Sequence, residues 1–246
     1  MKEFIYGRNP VYETLRAKRR QFFQLLVSES AQDKGRLSEI IQMAKAQKVQ
    51  VLRAPRKRMD KIALNNQGVA LEVSGYPYHN VLDILDRAEK KGEPPFVLLL
   101  DNLQDPQNFG TLLRTAESVG VHGIVIPLAR TAQITASVVN ASSGASEHLL
   151  IAQANLAQAI TTLKDAGAWV IGLEGNDEQA QSPGEIRLDG AVGIVVGSEG
   201  RGMRPLVRKS CDLLMKLPMQ GEIESLNAAV AGSVALYLAY LARQNS

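Results

Sequence analysis

FVLLLDNLQDPQNFGTLLR, residues 96–114, joins a wholly apolar run to a polar turn and then to a helical pattern. The run Phe96–Leu100 is continuous rather than alternating, as a strand must be when helices cover both faces of a parallel sheet. Working outward, similar runs recur at Gly123–Ile126, 149–151, Trp169–Leu173, Val192–Val196 and 213–217, with helical patterns between most of them. The last element, 225–242, reads as a long apolar helix. This strand–helix alternation predicts an α/β domain with a mainly parallel sheet, over residues 95–246.

Upstream the signals differ. A helix opens at Asn9 with Pro10 in its first turn, and Phe22–Ser28 is a strand. Leu37, Ile40, Ile41 and Ala44 fall at helical spacing, 49–52 and 69–73 are short strands, and 56–64 is a basic helix. Residues 1–75 therefore read as a small α/β domain. Gly75-Tyr76-Pro77 and Gly92-Glu93-Pro94-Pro95 bracket a polar helix over Val81–Lys91, which marks 76–94 as a linker.

Charge separates the two regions. The whole chain carries 28 Lys+Arg and 25 Asp+Glu, a net charge of +3. Residues 1–75 hold 15 basic and 7 acidic side chains, and the remainder holds 13 and 18, so the regions carry +8 and −5. A basic first third on an acidic remainder points to a polyanion-binding part, through clusters such as Arg16-Ala17-Lys18-Arg19-Arg20 and 53–61. With one cysteine, Cys211, no intramolecular disulfide can form, and a reduced cytosolic protein is expected. No secretory signal is visible, and the apolar stretch 228–242 is shorter than the ~20 residues of a membrane span.

Ligands of open parallel sheets bind beyond the carboxyl ends of the strands, and three such ends carry unusual residues. After 96–100 come Asn108, placed to start a helix, and Arg114; alone they are a helix cap and a surface arginine, or an anion and hydroxyl site at a helix N-terminus. After 192–196 comes Gly197-Ser198-Glu199-Gly200-Arg201-Gly202. It is a tight turn or a backbone cradle; it is neither a P-loop, nor a G-x-S-x-G elbow, nor a full dinucleotide fingerprint. After 213–217 comes Ser225-Leu226-Asn227: Ser225 can cap the final helix, and Asn227 brings an amide that needs partners into an apolar helix. His79, His122 and His148 share no metal-ligand spacing, so no metal is expected.

Taken together, the three loops resemble the signature motifs of the SPOUT superfamily, in its TrmH-like branch of RNA 2'-O-ribose methyltransferases. Asn108, Gly110 and Arg114 match the first motif, Glu199, Gly200 and Gly202 the second, and Ser225, Leu226 and Asn227 the third. The opening Tyr6-Gly7-Arg8-Asn9-Pro10-Val11 resembles the L30e-like substrate-binding domain of bacterial members that methylate a guanosine of 23S rRNA. The resemblance implies a C-terminal α/β-knot domain, with a trefoil knot, behind an L30e-like domain. It implies S-adenosylmethionine as cofactor, held by the backbone around Gly197, Leu217 and Leu226, and a homodimer with the final helix in its interface. It further implies catalytic roles for Arg114, Asn108, Glu199, Ser225 and Asn227. Arg114 is expected to grip the target phosphate and stabilise the developing alkoxide, because a free guanidinium is too basic to serve easily as general base. Asn108 would position Arg114 or the ribose, Glu199 would orient Arg114 or receive the proton, and Ser225 and Asn227 would complete the pocket. Competing readings are a tRNA substrate, a non-catalytic RNA-binding or ribosome-assembly protein, and a nucleotide-dependent oxidoreductase suggested by Gly172-Leu173-Glu174-Gly175.

Overall fold

In the computed structural model, which describes residues 2–129, 132–175, 177–198, 200–222 and 225–244, the chain divides into two units. One is Met1–Pro77 with Gln133–His148; the other is Tyr78–Ala132 with Leu149–Ser246.

The first unit is built on four strands: β1 (Lys2–Tyr6), β2 (Phe22–Ser28), β3 (Gln50–Ala54) and β4 (Val69–Ser74), in the order β1-β4-β2-β3. Only β2 and β3 run parallel. Helices α1 (Arg8–Ala17), α2 (Arg36–Ala46) and α3 (Arg56–Ile62) alternate with the strands. Leu37, Ile40 and Ala44 put the apolar side of α2 into the core, and Leu15 of α1 and Leu25 of β2 are equally buried. Strand β1 is absent from the sequence reading for a physical reason: it is an edge strand with a single buried residue, Ile5, behind Lys2 and Glu3, so it lacks an apolar run.

The segment 133–148, far along the chain, completes this unit. Its Glu147 meets Arg20 in a bidentate pair at 2.7 and 2.8 Å, with the two side chains 1 % and 0 % exposed. Arg20 also donates to Glu3 at 2.6 Å. Asn140 donates to the Tyr6 carbonyl at 3.2 Å, the Tyr76 hydroxyl to the Ser146 carbonyl at 3.2 Å, and His148 bonds Glu13 at 2.8 Å. Arg20 therefore drops out of the basic cluster read as a phosphate contact. Its charge is spent on two carboxylates, and nothing of it is left for solvent.

The second unit holds α4 (Val81–Lys91), β5 (Phe96–Leu100), α5 (Pro106–Ser118), β6 (Gly123–Ile126), β7 (Leu150–Gln153), α7 (Leu156–Asp165), β8 (Trp169–Leu173), β9 (Val192–Val196), α8 (Pro205–Ser210), β10 (Leu213–Met215) and α9 (Ala228–Gln244); α6 (Ala136–Ala141) lies in the first unit. The strand order is β10-β8-β9-β5-β6-β7 and every pairing is parallel. The fold class expected from the sequence, an α/β domain with a mainly parallel sheet behind a small α/β domain, is the one observed. All five residues of β5 and of β9 are buried, which is why both read as unbroken apolar runs. The helix in 76–94 also forms: α4 starts on a capping box between Asn80 and Asp83 and buries Ile84. The chain moves from β5 outward through β6 and β7, whereas β9 and β8 lie on the other side. The strand order reverses between β9 and β5, where an open sheet leaves a crevice.

Candidate active site

Three loops approach one another above this crevice. Asp105 caps α5, accepting from the amides of Gln107 and Asn108 at 3.3 and 3.1 Å, with Pro106 at the first helical position. Asn108 thus lies inside the first turn rather than starting the helix as expected. Its Oδ1 accepts from Asn227 Nδ2 at 3.2 Å, which joins the first loop to the third.

The loop after β9 folds back on itself. Ser198 and Gly202 exchange backbone hydrogen bonds at 3.0 and 2.9 Å. Gly197 must be glycine, since a Cβ there would stand 2.4 Å from the Gly202 carbonyl carbon. Gly200 and Gly202 take φ of 74° and 64°, the left-handed region that side chains disfavour. Glu199, expected in the site, lies outside the described residues.

In the third loop, the cap of α9 is Asn227 and not Ser225. Asn227 Oδ1 accepts from the amides of Ala229 and Val230 at 2.9 and 3.2 Å, and its carbonyl accepts from Ala231 at 2.9 Å. That answers what a carboxamide does at the mouth of an apolar helix. Its oxygen satisfies two of the helix's free amides while its nitrogen reaches Asn108.

A cavity of about 460 Å³ opens beside the ends of β8, β9 and β10. Gly197, Leu217, Leu226, Ser225 and Asn227 all line it. Asn108 and Arg114 are not among its lining: Asn108 is tied to it through Asn227, and Arg114 is exposed on α5 six residues, about 9 Å, further along the helix. Glu174 also lines the cavity and was missed as a site residue. Its carboxylate is 3.3 Å from where a Cβ of Gly202 would be, so it borders the glycine loop. The available signal was its position, an acid directly after the buried strand β8. A second cavity, of about 470 Å³, shares Ser198 with the first and is bounded by Asn102, Gln104, Asp105 and Arg201. There Asn102 has φ of 61°, and its buried Oδ1 has no partner among the described residues.

Two other reactive side chains of this unit, Cys211 and His122, are occupied. Burial pushes the Cys211 thiol up to about 12, and it bonds the Val207 carbonyl, so it is no nucleophile. His122 accepts the Phe96 amide on Nδ1 and meets Glu93 through Nε2, and burial holds its pKa below the usual histidine value. Among the described residues no cluster of three or more His, Cys, Asp or Glu could hold a metal, and no helix is long and apolar enough to cross a membrane.

An open parallel α/β unit with a ligand pocket at the strand ends, preceded by a small basic unit, is the class that fold and site define, and comparison with known proteins gives the family. The SpoU rRNA Methylase family matches residues 95–237, and the family of RNA 2'-O ribose methyltransferase substrate-binding domains matches residues 4–79. The chain belongs to the SpoU rRNA methylase family, whose members are RNA methyltransferases of the SpoU/TrmH type. It is 40 % identical over 246 residues to YacO of Bacillus subtilis, assigned to the TrmH family of tRNA/rRNA methyltransferases, covering 98 % of this chain and 96 % of that one. It is also 40 % identical over 247 residues to an uncharacterized tRNA/rRNA methyltransferase of Mycolicibacterium vanbaalenii, covering 98 % and 76 %. The same fold is found in the SpoU methyltransferase AviRb from Streptomyces viridochromogenes, solved with AdoMet, with TM-score 0.80, 20 % identity, and 100 % and 92 % of the two chains covered. An AdoMet-bound rRNA methyltransferase from Sinorhizobium meliloti gives TM-score 0.78 at 22 % identity, covering 97 % and 86 %.

Proposed function

We propose that the chain methylates the 2'-oxygen of a ribose in RNA, a guanosine of 23S rRNA, using S-adenosylmethionine. One observation carries the reading: a single cavity of about 460 Å³ is lined by the loop after β9 and by the loop that opens α9, with the loop after β5 hydrogen-bonded to its rim.

The residues suit that cofactor. Val196, Met215, Leu217 and Ala231 offer apolar walls to a purine. The backbone at Gly197, Leu217 and Leu226 lines the cavity and offers amide and carbonyl groups to the cofactor. Glu174 supplies a negative charge for a ligand that carries both sulfonium and ammonium. When bound, the cofactor brings a methyl group already activated by a positive sulfur, so the protein's work lies with the nucleophile. The second cavity, sharing Ser198, gives the target nucleoside a place beside the first. Arg114, exposed on α5, grips the phosphate next to the target ribose and stabilises charge as the hydroxyl loses its proton. Asn108 fixes the rim through Asn227, and Ser225 closes it. Glu199 keeps the role of orienting Arg114 or receiving the proton.

RNA affinity comes from the basic first unit, above all the exposed Arg56, Lys57, Arg58 and Lys61 on or beside α3. Binding by this unit weakens steeply with salt. A second copy of the chain covers α9. Val230, Val234, Tyr237 and Leu241 recur at helical spacing on one side and remain 40–54 % exposed, an apolar stripe that a homodimer would bury.

The test of the chemistry is single-turnover methylation by Arg114→Ala and Arg114→Lys at saturating RNA. A loss of about 10²-fold or more is expected for alanine, and near-parental rates in both variants remove Arg114 from the mechanism. Parallel assays on 23S rRNA and on tRNA decide the substrate. A chain that binds no S-adenosylmethionine by calorimetry is instead the non-catalytic RNA-binding protein. Sedimentation of Val234→Glu tests the dimer, which should dissociate.

A further inference from the structure

Asp101, the last residue before the first loop, has no role in the reading above, yet both its carboxylate oxygens are engaged close to the cavity. It is fully buried at the end of β5. Its Oδ2 accepts the Arg204 amide and its Oδ1 accepts Arg204 Nε, both at 2.7 Å, and its own amide donates to the Val196 carbonyl at 2.8 Å. One residue thus grips the chain on both sides of the glycine loop, at Val196 before it and at Arg204 after it. Between those points Ser198 and Gly202 close the loop on each other. The downstream side has a second anchor. Met203 is buried, and a Cβ on Gly172 would meet its Cε at 2.6 Å, so Met203 lies directly against β8.

We propose that Asp101 is a positioning residue for the cofactor cavity: through Arg204 it fixes the loop whose Gly197, Ser198, Gly200 and Gly202 form one wall. The inference rests on the reading that this cavity takes S-adenosylmethionine. The chemistry favours a carboxylate here. Two N–H groups of Arg204 converge on the two oxygens, so both must accept, and the charged pair strengthens both bonds. Asparagine has the same shape but would turn an NH₂ group toward one of those N–H groups, donor against donor. The Arg204 side chain is 45 % exposed, so the pair anchors at its buried end, where the bond to the Arg204 amide is the larger hold and the side-chain bond adds to it.

The experiment uses the full-length protein and two readouts. The first is calorimetric titration with S-adenosylmethionine. The second is amide hydrogen exchange at 200–204 without cofactor, which does not depend on activity. Asp101→Asn is expected to raise the cofactor Kd about tenfold and to speed exchange at Gly202 and Arg204. Arg204→Ala keeps the main-chain bond and loses the side-chain one, so its rise should be smaller, about threefold. Asn80→Ala removes a helix cap on α4 and serves as a control for lost stability alone. The proposal is overturned if Asp101→Asn binds cofactor within about twofold of the parent, or if Asn80→Ala raises Kd as much. Should Asp101→Asn fail to fold, Arg204→Ala decides, and parental Kd and parental exchange in it overturn the clamp. A parent chain that binds no cofactor sinks the underlying functional reading instead; exchange then still judges the clamp, which falls if the Asp101→Asn loop stays as protected as the parent's.

Discussion

Glu147 and Asp101 are both carboxylates shut away from water, but they hold different things. Glu147 takes a guanidinium that is itself completely buried, and between them they fasten the segment 133–148 into the first unit. Asp101 takes a main-chain amide and the inner end of a half-exposed arginine, and what it fastens is a loop at the edge of a cavity. A fully desolvated pair is all-or-nothing: its attraction offsets a large desolvation cost only while both members are present. A carboxylate bonded to backbone tolerates more change nearby and governs local geometry. The first arrangement serves architecture and the second serves the site.

The contrast can be broken most directly at Glu147. Glu147→Ala leaves Arg20 buried with Glu3 and the Ser74 carbonyl as its partners and should cost about 3–5 kcal/mol in urea unfolding, with hydrogen exchange rising across β1, α1 and 133–148. A cost under about 1 kcal/mol would mean that the pair contributes little and that 133–148 is held by apolar contacts. The same result bears on truncation. A chain beginning near Pro94 would lose Arg20 and strand Glu147, so substituting Lys57, Arg58 and Lys61 is the sounder way to test RNA affinity.

Site contacts should show the opposite profile, with modest stability and large function. Asn227→Ala removes a helix cap and the bond to Asn108, for about 1–2 kcal/mol by thermal or urea unfolding. Asn80→Ala removes a cap that touches no site and should cost about 1 kcal/mol. Methylation should fall with the former and not with the latter; equal activities would cut Asn227 out of the site.

The smallest effect is expected at His122, whose acid partner Glu93 is half-exposed rather than buried. Burial lowers the His122 pKa in the folded chain despite Glu93. The unfolded state therefore binds more protons between the lowered and the ordinary value, and stability falls as pH drops from about 6.5 through the folded pKa. Urea midpoints at pH 7 and pH 5 measure this, and His122→Asn should flatten the dependence. A pH slope unchanged by that substitution assigns the loss to other groups.

Much of this was legible in the chain itself. Buried parallel strands announce themselves, and Phe96–Leu100, Trp169–Leu173 and Val192–Val196 were bounded correctly to the residue. The caps of the two site helices were not. Asn108 and Ser225 both looked like caps, but Asp105 and Asn227 take that place, because any of several polar residues near a start can cap and only backbone geometry chooses among them. Glu174 was read only as part of Gly172-Leu173-Glu174-Gly175, because an acid at a strand end becomes informative only when a glycine loop from another strand lies against it.

By itself the sequence determined the succession of strands and helices, the charge division between the two regions and the three loops with unusual residues. Those properties are written in local runs and spacings. Only the tertiary structure decided that 133–148 belongs with the first unit, that Arg20 meets Glu147 rather than solvent, and that Asp101 reaches Arg204. Such pairings join residues a hundred or more positions apart, and which partners meet, and how far water is shut out around them, is set by the assembled fold, which no local stretch of sequence encodes.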